Sequence, residues 1–442
     1  MNMDQFDAVV VGAGPAGSIA ALTLARGGAR VALIDKARFP RDKACGDLIG
    51  PRGVGLLSEL GVRVEATKMV RDLRVIGFGG HEISMWCQTT GDPYPEYASY
   101  VIRADLDSTL FNEAVRAGAV PIHGRIGDPI RHHTGRLIGL SLDSGRALGA
   151  AFFIGADGST TRLGEIANLV DPARGIWCFA IRAYLPSSLD TPYIILWDEK
   201  PWKAFPGYGW IFPDGTGWAN VGVGIGVGPK RSEGSRATRE LDGFIDRMAH
   251  RGLIETAGSE DLPQRRLGGW LRMGLAGTRV AAGNVLLAGD AAALVNPYQG
   301  EGISQAIESG CAAGTTILRA PARAAQAYTS IISDLFGRHE APAATIQTKT
   351  LRHLRIASAA GHILTRWPPA AVLGESLAIY LSQLSDGAIP GRSLRRAKMI
   401  ESFSNMVTSR SKMRHEIEAS FGGPFANEPA GQAQHLADRL AA

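Results

Sequence analysis

Three short runs near the N-terminus set the frame. Phe6 to Val11 is apolar at every position but Asp7 and predicts a buried parallel strand. Pro15 to Arg26 is rich in Ala and Leu and predicts a helix, and Arg30 to Asp35 is a second buried strand. Together they form one βαβ unit. Runs of the same kind recur at Ala150 to Gly155 and at Asn284 to Gly289, so pieces of one parallel sheet are scattered over the chain as far as residue 290. Between Gly175 and Val227 the pattern changes to WCFAIRAYL, PYIILW, YGWIFP and WANVGVGIGV, separated by Pro, Asp and Gly turns. These predict an antiparallel sheet that stands as a wall beside the first. After Gly300 a helical period takes over, first in ISQAIESGCAAGTTIL and then in Ala-rich, Arg-rich segments as far as Glu418. From Gly422 onward the chain is polar, with Gly, Pro and Gln, and is expected to be loosely held. There is no internal repeat.

Composition changes this picture in a few places. A chain of 442 residues exceeds one compact core, and its 55 glycines point to close backbone approaches. The net charge of +5 falls short of a nucleic-acid-binding signature. Cys45, Cys87, Cys178 and Cys311 form no CxxC pair and have no closely spaced His, so neither a metal site nor a disulfide framework is encoded, which fits a reducing cytosol. Cys87, Cys178 and Cys311 read as core residues. The N-terminus carries an acid where a secretion signal needs positive charge. The apolar stretch from Ile356 to Leu384 is broken by His362, Arg366, Pro368, Pro369 and Glu375, so no transmembrane segment is expected. The reading is a cytoplasmic protein, with peripheral membrane contact left open and the oligomeric state unknown.

The strongest chemical motif is VVVGAGPAGSIAA, a GxGxxG of Gly12, Gly14 and Gly17 between strand and helix, with Asp35 closing the next strand. Gly12 permits the tight turn, Gly14 lets a pyrophosphate approach the backbone, and Gly17 allows close helix packing. The helix N-terminus adds a positive dipole, and Asp35 can accept hydrogen bonds from ribose hydroxyls. Pro15, Ala16 and Lys36 adjoin these positions and belong to the same cofactor-binding set. GVGIGVG, Gly222 to Gly228, is no second motif of this type: its glycines alternate on a strand, which indicates close sheet packing.

Three further segments, FPRDKACGD (Phe39 to Asp47), GADGSTTR (Gly155 to Arg162) and LLAGDAAALVNPYQGEGI (Leu286 to Ile303), together resemble the para-hydroxybenzoate hydroxylase-like class of flavoproteins. That class includes aromatic hydroxylases, flavin-dependent halogenases and geranylgeranyl reductases. PRDKACGD is most similar to the geranylgeranyl reductase form, as is PGYGWIFP (Pro206 to Pro213), which resembles that family's PxxYxWxFP with the first Pro shifted by one. The resemblance implies FAD as cofactor and NAD(P)H as a transient reductant. It places Asp290 on the ribityl chain, Gly289, Pro297, Gly300, Gly302 and Ile303 along the flavin ring, and Lys43, Ala44, Cys45 and Gly46 beside it. A helix starting near Gly302 would point its N–H groups at the flavin N1/C2=O edge. Arg103 falls where the class has an arginine near the FAD phosphates, a solvent-exposed arginine being the other reading. Asp157, with Gly158, resembles a residue that helps bridge flavin and nicotinamide sites, and Arg162 one that orders the loop; ADGS would equally cap a helix with no cofactor.

Tyr208, Trp210 and Phe212 share one face of a strand and would form an aromatic wall for a hydrophobic substrate, or else a packed sheet face. Chemical roles are assigned to Cys45, Tyr208 and Trp210, with Tyr208 a candidate proton donor. The fold implied is α/β: a Rossmann-type FAD-binding domain (1–75, 101–174 and 271–320) interleaved with an antiparallel substrate domain (76–100 and 175–270), followed by C-terminal helices (321–442). The function implied is reduction of C=C bonds in an isoprenoid, geranylgeranyl or prenyl-quinone, by hydride from flavin N5. The alternative is a monooxygenase that uses a C4a-hydroperoxide to hydroxylate or epoxidise an aromatic or polyketide-like metabolite. Glu301, between Gly300 and Gly302, departs from the Gly-rich reductase form. His132 and His133 sit beside a predicted hairpin turn. Arg392, Arg395, Arg396, Lys398, Arg410, Lys412 and Arg414 suit either membrane-surface docking or a solvated helix face.

Overall fold

The computed structural model describes residues 3–76, 82–87, 94–195, 208–227, 234–255, 266–297, 300–337 and 388–389. Asp4–Val11 and Val31–Asp35 pair in parallel at the centre of an eight-stranded sheet. Val120–His123 extends it in parallel beyond Val31–Asp35, and Ala147–Gly155 followed by Val285–Leu287 extends it in parallel on the other side. The Ile126–Arg131/Leu137–Leu142 hairpin joins Ala147–Gly155 antiparallel, with His132 in its turn. The last parallel strand is shorter than its apolar run: Gly289, at φ +59°, already begins a 3-10 turn.

The helices of the described residues are α1 (Pro15–Arg26), α2 (Pro51–Glu59), α3 (Arg103–Arg116), α4 (Arg162–Ile166), α5 (Gly234–His250), α6 (Ile303–Arg319) and α7 (Ala324–Ile332). α1 buries Ile19, Leu22 and Leu24 completely, each worth about 1.5–3 kcal/mol of apolar transfer. α6 lies against α1 almost backbone to backbone. A side chain at Gly310 would collide with the Ala16 carbonyl, and one at Gly314 would stand 2.8 Å from Thr23 Cβ. Two glycines one helical turn apart thus hold the middle of α6 close against α1 from Ala16 to Thr23.

The second sheet runs in the order Leu267–Met273, Ile176–Pro186, Trp218–Val227, Tyr208–Pro213, Tyr193–Ile195, Asp72–Ile76, Glu82–Cys87, Ala388–Ile389. All its neighbours are antiparallel except Tyr193–Ile195 with Asp72–Ile76. α5 packs on its back, where Gly209 abuts the ring of fully buried Phe244. The other face presents Tyr208, Trp210 and Phe212, registered opposite Gly224, Gly222 and Asn220. The indole of Trp210 occupies the space a side chain at Gly222 would need, so Gly222 serves packing. A third, small sheet of Leu48–Ile49, Ala98–Tyr100 and Lys68–Val70 joins the two. No helix of the described residues is long and apolar enough to cross a membrane. The apolar 356–384 stretch, the late basic residues, Pro206 and the Cys87 side chain lie outside the described residues. Of the region expected to be helical, α7 is described, and Ala388–Ile389 is an edge strand on Glu82–Cys87.

Candidate active site

The groove begins at the βαβ turn. Gly12 takes φ +97°, and a side chain there would strike the Ala156 carbonyl; Gly17 in turn fits only because it can sit on the Gly12 carbonyl. Asp35 closes the second strand with its carboxylate fixed by two backbone donors, Ala13 N–H and Ala37 N–H, both at 2.8 Å. α1 starts at Pro15 with no side-chain hydrogen bond capping its N-terminus, and a Cβ added at Gly14 would stand 3.5 Å from the Arg41 guanidinium. Bare helical N–H groups beside a guanidinium fit a pyrophosphate. Arg41 gives no signal in the sequence because only the folded loop brings it there. Lys36 is exposed.

Where α1 and α6 meet the second sheet, the segments converge on one chamber. Pro15, Lys43, Ala44, Cys45, Gly46, Arg103, Tyr208, Trp210, Phe212, Asp290, Gly300, Gly302 and Ile303 line it together. It is further lined by Glu301, marked in the sequence only as a departure from the Gly-rich form, and by residues the sequence does not place in a site: Val70, Leu73, Cys178, Ile194, Leu271 and Val295. The wall is mostly apolar, and a pair of charges, Lys43 Nζ and Asp290 at 3.4 Å, marks one side. Gly46 is forced by fit: a side chain there would stand 2.8 Å from the Phe212 ring. Gly300, at φ +71°, lies under the Tyr208 hydroxyl, 2.5 Å from where a Cβ would be. Pro297 is buried just ahead of this segment. Cys178 is more than a core residue, since its thiol, pushed up to about 12 by burial, borders the chamber.

Beneath the wall runs a buried polar network centred on Asp47, a non-glycine at φ +62°. Its carboxylate accepts from Tyr184 Oη (2.6 Å), Asn220 Nδ2 (2.7 Å), Tyr100 Oη (3.3 Å) and Arg103 N–H (3.1 Å). Asn220 also donates to the Cys45 carbonyl and accepts from Trp210 Nε1 at 2.8 Å, which fixes the indole plane. Burial pushes the Asp47 carboxyl up while the hydroxyl and amide donors pull it down. Burial likewise raises the Cys45 thiol, partly offset by Arg103, so Cys45 stands as a thiol rather than a reactive thiolate. Arg103 is no surface arginine: it is 4% exposed, bidentate to Asp107 at 2.8 and 2.9 Å, and Arg41 joins the same carboxylate at 3.0 Å. The sequence signal for the network was the last residue of PRDKACGD; Asn220 and Tyr184 gave none, because only strand pairing brings them in.

Glu301 lines the chamber with one oxygen committed to structure. Its Oε1 accepts from Ile303 N–H (3.2 Å), Ser304 N–H (3.1 Å) and Ser304 Oγ (3.2 Å). The first N–H groups of α6, expected to face a flavin, are therefore engaged by this side chain. Its Oε2 is buried and has no hydrogen-bond partner among the described residues. Burial pushes the carboxyl up to about 7 against the opposing pull of the Ser304 donors and Arg52.

Asp157 lies away from the chamber and caps α4, accepting from Thr161 Oγ1 (2.6 Å), Arg162 N–H (2.7 Å) and Leu163 N–H (3.1 Å). The capping alternative fits this geometry, and the Asp157 backbone also stands against the Gly12 turn, 2.8 Å from where a Cβ at Gly12 would be. Arg162 makes an exposed pair with Glu165 at 3.6 Å and does not order the loop through its side chain. Gly158 supplies a turn at φ +84°, and Gly289 packs its backbone between Ala16 and Ala306.

Comparison with known proteins agrees with this construction. Residues 5–170 match the FAD binding domain model and residues 201–259 the geranylgeranyl reductase catalytic domain. The chain is 38% identical over 312 residues to menaquinone reductase of Mycolicibacterium smegmatis, covering 69% of this chain and 74% of that one. Menaquinone reductase of Mycobacterium tuberculosis is 36% identical over 342 residues, 76% of this chain and 81% of that one. Digeranylgeranylglycerophospholipid reductase 2 of Methanosphaera stadtmanae is 29% identical over 360 residues, 76% and 85% of the two chains. Among solved structures, a geranylgeranyl bacteriochlorophyll reductase-like protein of Thermoplasma acidophilum superposes with TM-score 0.67 at 21% identity, over 95% of this chain and all of the other. A flavin-dependent brominase reaches 0.63 at 18% identity, over 92% of this chain and all of the other, which marks a shared fold. From its FAD-binding half to its aromatic wall, the chain belongs to the geranylgeranyl reductase family of FAD-dependent oxidoreductases.

Proposed function

We propose that this enzyme saturates C=C bonds in the isoprenoid chain of a quinone, in the cytoplasm at the membrane surface from which such a lipid must be drawn. The observation that carries the substrate class is the chamber itself: a mostly apolar space with three aromatic rings on one wall, its charged lining among the described residues being Lys43, Arg103, Asp290 and Glu301. The relatedness to menaquinone reductases supports a quinone rather than another prenyl lipid.

The residues fit FAD along the groove. Gly12, Gly14, Pro15, Ala16 and Gly17 cradle the pyrophosphate with Arg41 and Arg103, and Asp35 takes the adenosine ribose. Asp290 holds the ribityl chain, and segments 43–46 and 300–303 flank the ring. Reduced FAD supplies a hydride. The protein's part is to press the alkene against the ring with Tyr208, Trp210 and Phe212 and to exclude water, since an isolated alkene accepts hydride poorly. NAD(P)H as electron source would dock transiently across the flavin face, since the sequence carries one dinucleotide-binding motif and FAD takes it.

The test is anaerobic. The reduced holoenzyme is mixed with prenyl quinones in detergent, flavin reoxidation is followed, and products are weighed by mass spectrometry. A gain of two hydrogens without O₂ is the expected result. A flavin that stays reduced until O₂ enters, with oxygenated product from a panel of aromatic compounds, would replace this reading with a monooxygenase.

A further inference from the structure

The reductase reading leaves one atom unaccounted for. Saturating a C=C bond takes a hydride and a proton, and the proton must come from a group inside the closed chamber. Tyr208 is poorly suited: burial pushes its hydroxyl far above its ordinary value, away from the working pH.

We infer that Glu301 is the acid that protonates the alkene, a role that rests on the reductase reading. Three features of geometry carry it. Glu301 belongs to the Gly300–Ile303 segment, which lines the chamber where it meets the substrate sheet, with Gly300 directly under Tyr208. The glycines on either side keep that segment free of competing side chains. Its two oxygens are differentiated: Oε1 is pinned to the start of α6 by three donors, whereas Oε2 is buried with no partner among the described residues. An ionised oxygen left bare in an apolar chamber is costly, and a proton on Oε2 removes that cost.

The charged and titratable neighbours are consistent with an acid poised near neutrality. Arg52 on α2 favours the anion but is itself ion-paired to Glu308 of α6; Lys43 is paired to Asp290; Tyr208 faces from the sheet. Burial outweighs these and the capping donors. In the step, the alkene π pair forms a C–H bond with the Glu301 proton as the Oε2–H bond breaks. The other alkene carbon would take the hydride that bound reduced FAD supplies, the two electrons of that hydride being the ones by which the flavin is oxidised. Glu301 ends as a carboxylate and recovers its proton from solvent.

Glu301→Gln keeps an oxygen for the α6 cap and removes the acid. Infrared difference titration of the purified flavoprotein should show a protonated-carboxyl band in wild type that disappears as pH rises through neutrality, and that E301Q lacks. Single-turnover saturation of prenyl quinone should fall by about 10²-fold or more in E301Q with flavin content unchanged, and Glu301→Asp should recover part of the rate. The wild-type rate should decline at alkaline pH with the midpoint of the infrared band, and the E301Q profile should be flat. An active wild type beside an E301Q enzyme of equal rate and pH profile overturns the role of Glu301 alone. A wild type that titrates in the infrared but yields no saturated product sinks the reductase reading and this role with it.

Discussion

The two ends of the groove are built on different principles. At the βαβ turn the working groups are backbone: Gly12, Gly14 and Gly17 contribute by lacking side chains, and the Asp35 carboxylate is fixed by Ala13 N–H and Ala37 N–H. At the chamber the working groups are side chains drawn from far-apart segments and held by a buried network around Asp47. The first end is local in sequence and intolerant of any added atom. The second is assembled by tertiary structure, and each member can be altered with graded effect.

The largest effect should come from violating the backbone end. Gly12→Val adds a side chain at φ +97° against the Ala156 carbonyl; the variant should purify without flavin and lose roughly 4 kcal/mol or more. Full flavin content by absorbance would show that the turn is not a pyrophosphate cradle. At the chamber end, Asp47→Ala orphans two tyrosine hydroxyls, an amide and a backbone N–H, so denaturant titration should register a loss of roughly 2–4 kcal/mol with a correctly folded remainder.

Glu301 makes a subtler contrast. Its folded pKa lies above that of the unfolded chain, so the unfolded state gives up its proton first. The stability it contributes is complete below the ordinary Glu value and is lost as pH rises through about 7. Melting temperatures of E301Q should therefore fall less than those of wild type across that window; parallel pH profiles would mean the carboxyl is ionised throughout. Smaller still, Tyr208→Phe should change the saturation rate by less than about threefold, since the ring and not the hydroxyl shapes the wall. Arg162→Ala, at an exposed pair, should stay within about 0.5 kcal/mol of wild type with unchanged flavin affinity.

Legibility in the sequence follows the same division. The βαβ unit was readable because its spacing is local, and α1 occupies Pro15–Arg26 as the pattern indicates. The shared face of Tyr208, Trp210 and Phe212 was readable from the strand period. Arg103 was ambiguous, because nothing in a linear chain shows that Asp107, one helical turn on, would bury it. Asn220 and Tyr184 were invisible, since their partners are set by the cross-strand register. Glu301 was visible only as a departure from a glycine-rich pattern; its character depends on desolvation, which a sequence does not display. The GCAAG of α6 held an unread signal, small residues one turn apart, for contact with α1.

Asp47 also bears on how the molecule comes apart. One carboxylate ties together the loop after Phe39, the start of α3, the small bridging sheet through Tyr100 and two strands of the substrate sheet through Tyr184 and Asn220. Prising the two large sheets apart would strand a buried carboxyl and its four donors at once, so neither half melts alone without breaking that network. Calorimetry should then record one cooperative transition, with the measured enthalpy equal to the van't Hoff value, for a chain that otherwise has the dimensions of two domains.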